Sequence, residues 1–135
     1  MLSFSSSLGA DNEAFAIFVS EKYDFRDKRN ILPSSTSQKI RSFLNTLKSK
    51  KSKEEITSFD ISEKKKCFII KIKNKFESYA PQESGGSFFS YITKFKDIKN
   101  VDLYLDSCNL EKEKLIDFFP QFIFGFNLKS YTFNK

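Results

Sequence analysis

Residues Ala14 to Ser20 read AFAIFVS, seven positions of which only the last is polar. A run this short, unbroken and β-prone predicts a strand buried on both faces, as in the middle of a parallel sheet. Before it, Met1 to Asn12 are small and polar, so residues 1–13 are expected to form a flexible terminus. After it, the charged stretch Glu21 to Leu32 leads to Ser35 and Gln38 at capping-box spacing. Ile40, Phe43, Leu44 and Leu47 then recur on one stripe, which predicts a helix. A weak strand is expected over Ile56 to Ile61 and a firmer one over Lys66 to Lys73, with Phe68, Ile70 and Ile72 on one face and Ser62 to Lys65 as the turn between them.

A loop through Pro81 is expected to end at Ser84, Gly85 and Gly86, where Phe88, Phe89, Ile92 and Phe95 begin a second helix. Val101, Leu103 and Leu105 alternate with Asp102, Tyr104 and Asp106, describing a strand with one less buried face. Asn109 is placed to cap a third helix, with Glu111 and Glu113 in its first turn and Leu115, Phe118, Phe119 and Phe122 along its stripe. Pro120 lacks an amide hydrogen and crowds the carbonyl four residues back, so a kink or break is expected just before it. This order of elements predicts an α/β fold, a three-layer domain over residues 14–135 with a mixed central sheet flanked by helices.

The chain has 17 Phe, no Trp and one Met, so aromatic bulk is expected to fill the core. Of 23 basic residues only Arg26, Arg29 and Arg41 are arginine, and the net charge is +6. A nucleic-acid surface favours arginine for bidentate contacts, so this lysine excess reads first as a solvated surface and only weakly as a polyanion site. Cys67 and Cys108 form no C-x-x-C pair and read as reduced thiols. Neither a signal-like start nor a run long enough to span a membrane is present, and the expected compartment is the cytoplasm.

The absence of histidine rules out Ser-His-Asp and Cys-His nucleophiles and removes the main neutral zinc ligand. Asp102 and Asp106 would share a solvated strand face as ordinary carboxylates. Ser84, Gly85 and Gly86 offer a weak anion-site candidate at a helix start, against the plainer reading that small residues let the helix sit close to the sheet while Ser84 caps it. Lys48, Lys50, Lys51 and Lys53 attract phosphates in principle, but a solvated helix end explains them first. The closing stretch FIFGFNLKSYTFNK keeps Phe126, Tyr131 and Phe133 as candidate interface rings, which pack either on the domain's own core or on a partner.

That closing stretch resembles the end of the N-terminal domain of leucine (cytosol) aminopeptidases. In that family a glycine-bearing helix leads into a pattern near L-x-x-Y-x-F-x-x-Y-K, and Gly125, Leu128, Tyr131 and Phe133 stand in its places. The strand CFIIKIKN and Pro120 depart from the family's usual pattern. The resemblance implies a macro-like α/β domain that is itself non-catalytic, joined to a catalytic domain of the same polypeptide that holds two divalent metals, zinc or manganese. The whole protein would be a leucyl aminopeptidase, a homo-hexameric metallo-exopeptidase, and this domain would support its assembly and substrate access. The family's N-T-D-A-E-G-R ligand segment does not occur in this sequence, so no catalytic, cofactor or metal residue carries over. Two other functions stay open: a free-standing macro-like module binding a nucleotide such as ADP-ribose at Ser84 to Gly86, and a nucleic-acid-binding accessory domain.

Overall fold

The computed structural model describes residues 3–5, 13–28, 30–73, 79–107 and 112–133. Their elements run β1 (Ser3–Ser5), β2 (Ala14–Ser20), α1 (Ser34–Ser49), β3 (Ile56–Ser62), β4 (Lys65–Ile72), α2 (Ala80–Ile92), β5 (Asn100–Tyr104), a 3-10 turn (Leu105–Ser107) and α3 (Lys112–Phe133). The fold class is α/β with a mixed sheet, as expected. The chain divides into two compact units: residues 1–72 with 98–109, and residues 73–97 with 110–135.

The first unit holds a five-stranded sheet in the order β1-β5-β2-β4-β3. β2 lies in the middle, parallel to β4 and to β5, and all seven of its residues are buried. Its register sets Phe15 beside Cys67 and Ile17 beside Ile69. These side chains share a cluster with Ile40, Leu44 and Leu47 of α1, three residues at i, i+4 and i+7 on one helical stripe. Burial of each such aromatic or branched side chain stabilises the fold by roughly 1.5–3 kcal/mol. β3 is an edge strand antiparallel to β4, and the two-residue turn Glu63-Lys64 closes the hairpin.

Several expectations are corrected here. Ser3–Ser5, inside the terminus read as flexible, pair parallel with β5 and form the other edge. A three-residue edge strand is held by backbone hydrogen bonds and is too short to show a period-2 pattern in the sequence. The Ser35–Gln38 capping box does not form: α1 begins at Ser34 after Pro33 and has no side-chain cap bond. Ser35 is thus already inside the first turn, where its side chain no longer serves as an N-cap. Asp102 and Tyr104 are buried, not half-solvated, because Tyr104 joins the α1-side cluster and β5 is hydrogen-bonded on both sides.

The second unit is a pair of helices. α2 starts at Ala80 with Pro81 in its first turn, where a missing amide costs nothing, and Glu83 there suits the positive helix end. α3 runs unbroken through Pro120, so the expected break is absent. Proline removes one helical hydrogen bond, and on an exposed position that loss is outweighed by the packing on the opposite face. There Phe118, Phe122, Gly125 and Phe126 follow a 4-3-1 spacing and are buried. Phe88 lies 5.9 Å from both Phe122 and Phe126, and Phe89 meets Phe126 edge-on at 5.3 Å.

The helices approach at Gly85 and Gly125. A Cβ on Gly85 would lie 1.9 Å from the carbonyl oxygen of Phe122, and one on Gly125 would lie 2.0 Å from that of Gln82. Only a residue without a side chain permits this crossing.

Candidate functional site

In the first unit, the segment 21–33 after β2 is tied down to the carboxyl ends of β2 and β5. Ser107 Oγ accepts from the Phe18 amide at 2.9 Å and donates to the Tyr104 carbonyl at 2.6 Å. The Arg26 amide donates to the Ser107 carbonyl at 3.1 Å. Asp27 accepts from the amides of Ile31 (3.0 Å) and Leu32 (2.9 Å) and from the Tyr104 hydroxyl. Partial burial works to raise the Asp27 carboxyl, but the Tyr104 hydroxyl, the two amides and the nearby Arg41 together hold it below the ordinary carboxylate value.

At the start of this segment Ser20 Oγ donates to Asp24 at 3.2 Å and accepts the amides of Lys22 and Asp24. This local turn puts Tyr23 at φ 63°, a left-handed backbone that costs a side-chain-bearing residue roughly 1–2 kcal/mol. Tertiary contacts offset that cost. The Tyr23 hydroxyl donates to the Ser52 carbonyl at 3.0 Å, and the Lys71 ammonium sits 4.5 Å from the ring centroid.

Between this turn and α1 lies a recess of about 250 Å³, lined by Lys22, Tyr23, Asp24, Phe25, Arg41, Leu44, Asn45 and Lys48. The four helical residues stand at i, i+3, i+4 and i+7, one face of α1. Arg41 Nη1 donates to the Phe25 carbonyl at 3.3 Å, and its guanidinium carbon lies 5.2 Å from the Phe25 ring centroid. The fork is therefore oriented before any ligand arrives. A more open groove runs beside Phe43 and Phe59, whose rings stack at 4.4 Å.

The sequence-derived candidates fare differently. Ser84, Gly85 and Gly86 lie inside α2, not at its start, so their amides belong to the helical ladder and the anion-site reading loses its geometry. Gly85 instead serves the helix crossing. Phe126 is 2% exposed and belongs to the packing between α2 and α3, so it is a core ring and not an open interface ring. Tyr131 and Phe133 are both 66% exposed, although Phe133 still meets Phe89 edge-on at 5.6 Å. With Phe124 and Leu128, Tyr131 completes an exposed stripe at i, i+4 and i+7 on α3.

Lys48 lies in the last turn of α1, Lys50 caps it, and Lys51 and Lys53 follow in the chain beyond it. The amides of Lys51 and Ser52 donate to the carbonyls of Lys48 and Leu47, a Schellman ending with Lys51 left-handed at φ 53°. Cys67 is a free, fully buried thiol, and burial pushes its pKa up. Cys108, Asn109 and Glu111 lie outside the described residues, as do the side chains of Asp106, Glu113 and Leu115. No local pattern marks Asp27 as a partner of Tyr104 and Ser107, because it lies 77 positions from the first and farther from the second. The Arg41-Asn45-Lys48 face is legible as helical spacing once α1 is recognised.

Among the described residues no group of three or more His, Cys, Asp or Glu is placed to hold a metal, and no helix is long and apolar enough to cross a membrane. No protein-family model, curated protein or solved structure matches the chain.

Proposed function

We propose that the chain is a non-catalytic N-terminal domain of a leucine aminopeptidase-type metallo-exopeptidase, docking on the catalytic domain of the same polypeptide and supporting its assembly. The observation that carries this reading is the second apolar stripe of α3, Phe124, Leu128 and Tyr131, each more than half exposed. The first stripe of α3 packs on α2, and these three side chains stand on a different face of the helix. Solvent-facing apolar residues in a row cost solubility and mark a surface that a partner covers. Two of the residues in the aminopeptidase-like pattern, Leu128 and Tyr131, fall on this stripe, and the α/β class agrees with the class that resemblance implies.

The test is binding of the purified chain to a leucine aminopeptidase catalytic domain supplied separately, followed by light scattering. The expected result is a complex that Leu128→Glu with Tyr131→Glu abolishes while the helical circular dichroism and melting temperature stay unchanged. The chain alone, given leucine p-nitroanilide with zinc or manganese, is expected to release no p-nitroaniline. Failure to bind, or turnover by the chain alone, refutes the proposal.

A further inference from the structure

We propose that the recess between the Lys22–Phe25 turn and the Arg41–Lys48 face of α1 binds a phosphoryl dianion, either as free phosphate or as the phosphate of a small monoester. Three cationic residues, Lys22, Arg41 and Lys48, line it with one carboxylate-bearing residue, Asp24, whose carboxylate already accepts from Ser20 Oγ. Charge-assisted hydrogen bonds are the strong ones, and tetrahedral anions suit a planar guanidinium that presents two parallel donors.

Arg41 is already held for that task. Its contacts with the Phe25 carbonyl and ring use one of five N–H donors and fix the plane, so little rotamer entropy remains to be lost on binding. Asn45 adds a neutral amide on the same helical face, and buried Leu44 forms an apolar floor.

Two further features belong to the same place. The turn that carries Lys22 and Asp24 is held with Tyr23 left-handed, a conformation that persists in proteins where the surroundings over-determine it and that gathers at ligand clamps. The recess also adjoins the carboxyl end of β2, which runs parallel to both its neighbours, and ligands of open α/β sheets bind at such ends. Its volume of about 250 Å³ falls below the roughly 300–1,000 Å³ of sites that enclose drug-sized ligands, so one phosphoryl group fits better than a whole nucleotide.

The experiment is an NMR titration of the full chain with sodium phosphate and, separately, with glycerol 2-phosphate, against sodium chloride at matched ionic strength. Saturable shifts are expected at the Arg41 Nε–H and at the Asn45 and Lys48 amides, absent with chloride. Arg41→Lys is expected to weaken binding about tenfold, since it keeps the charge and loses the fork. Lys22→Ala with Lys48→Ala is expected to weaken it at least tenfold at an unchanged melting temperature. Lys64→Ala, in the β3–β4 turn, is expected to leave it unchanged.

Tighter binding of the monoester identifies a small organic phosphate as the ligand, and equal or tighter binding of phosphate identifies the free anion. Shifts no larger than with chloride, or unchanged affinity in the double variant, overturn the proposal. So does tight binding of a DNA duplex with a salt slope of several phosphates at about −0.9 each, which would make the face a nucleic-acid surface.

Discussion

Gly85 and Gly86 are chain neighbours on α2, yet alanine should act on them in opposite directions. At Gly86 an added Cβ meets nothing closer than 3.8 Å, ordinary van der Waals contact. Gly86→Ala should therefore gain the helix-propensity difference, a stabilisation of about 0.5–1 kcal/mol. At Gly85 the same methyl would lie 1.9 Å from the Phe122 carbonyl oxygen and 2.8 Å from the Phe126 amide nitrogen. Both are backbone atoms, so no rotamer change relieves the clash. Side-chain carbons essentially never come within 3.0 Å of such atoms, so α2 and α3 must separate by on the order of 1 Å.

That separation opens the ring contacts that Phe88 and Phe89 make with Phe122 and Phe126. Overpacking of this kind costs typically 1–3 kcal/mol, and the upper end applies where the obstacle is main chain. After the propensity gain is subtracted, Gly85→Ala should still destabilise by about 2 kcal/mol. Urea unfolding followed by circular dichroism at 222 nm measures both variants. Unfolding free energies for the two that change in the same direction and agree within about 0.5 kcal/mol would refute the close crossing.

Ser107→Ala removes the hydroxyl that serves the buried Phe18 amide and should destabilise by about 1–3 kcal/mol, the cost of leaving a buried donor unmet; a change within error in a thermal melt contradicts that role. Asp27 has its carboxyl pKa depressed in the folded state, so its contribution is fully present above the unfolded value of about 3.9 and disappears as pH falls through the lower folded value. Asp27→Asn should lower the urea midpoint at pH 7 and flatten the decline of stability below about pH 4, and an unaltered pH profile would show that the Tyr104 and amide contacts stabilise nothing.

Periodicity made much of the α/β frame legible. AFAIFVS carries no polar residue until Ser20 because both faces of β2 are buried, and Ile40, Leu44 and Leu47 repeat because one side of α1 faces the sheet. The hairpin turn at Glu63-Lys64 could be read from its spacing alone. These are local signals, set by which neighbours along the chain share a face. Pro81 and Gly85 misled for the same reason: each is a breaker in a local scale, and their true places depend on a helix start and on a neighbouring helix.

Contacts between distant residues left no such trace. Whether Phe126 or Tyr131 lies under another helix turns on Gly85 and Gly125 allowing α2 and α3 to approach, and on the angular position of each ring about α3. The clamp of Asp27, Tyr104 and Ser107 joins residues far apart in sequence through the adjacency of β2 and β5. The basic recess likewise required the turn after β2 to be held against α1, where Arg41 meets Phe25. The sequence by itself determined where the buried strands and the helices fall, though not the short edge strand Ser3–Ser5, because burial repeats with their period. Only the tertiary structure decided which polar and aromatic side chains converge, because convergence depends on strand order and helix approach, and neither leaves a mark at fixed spacing.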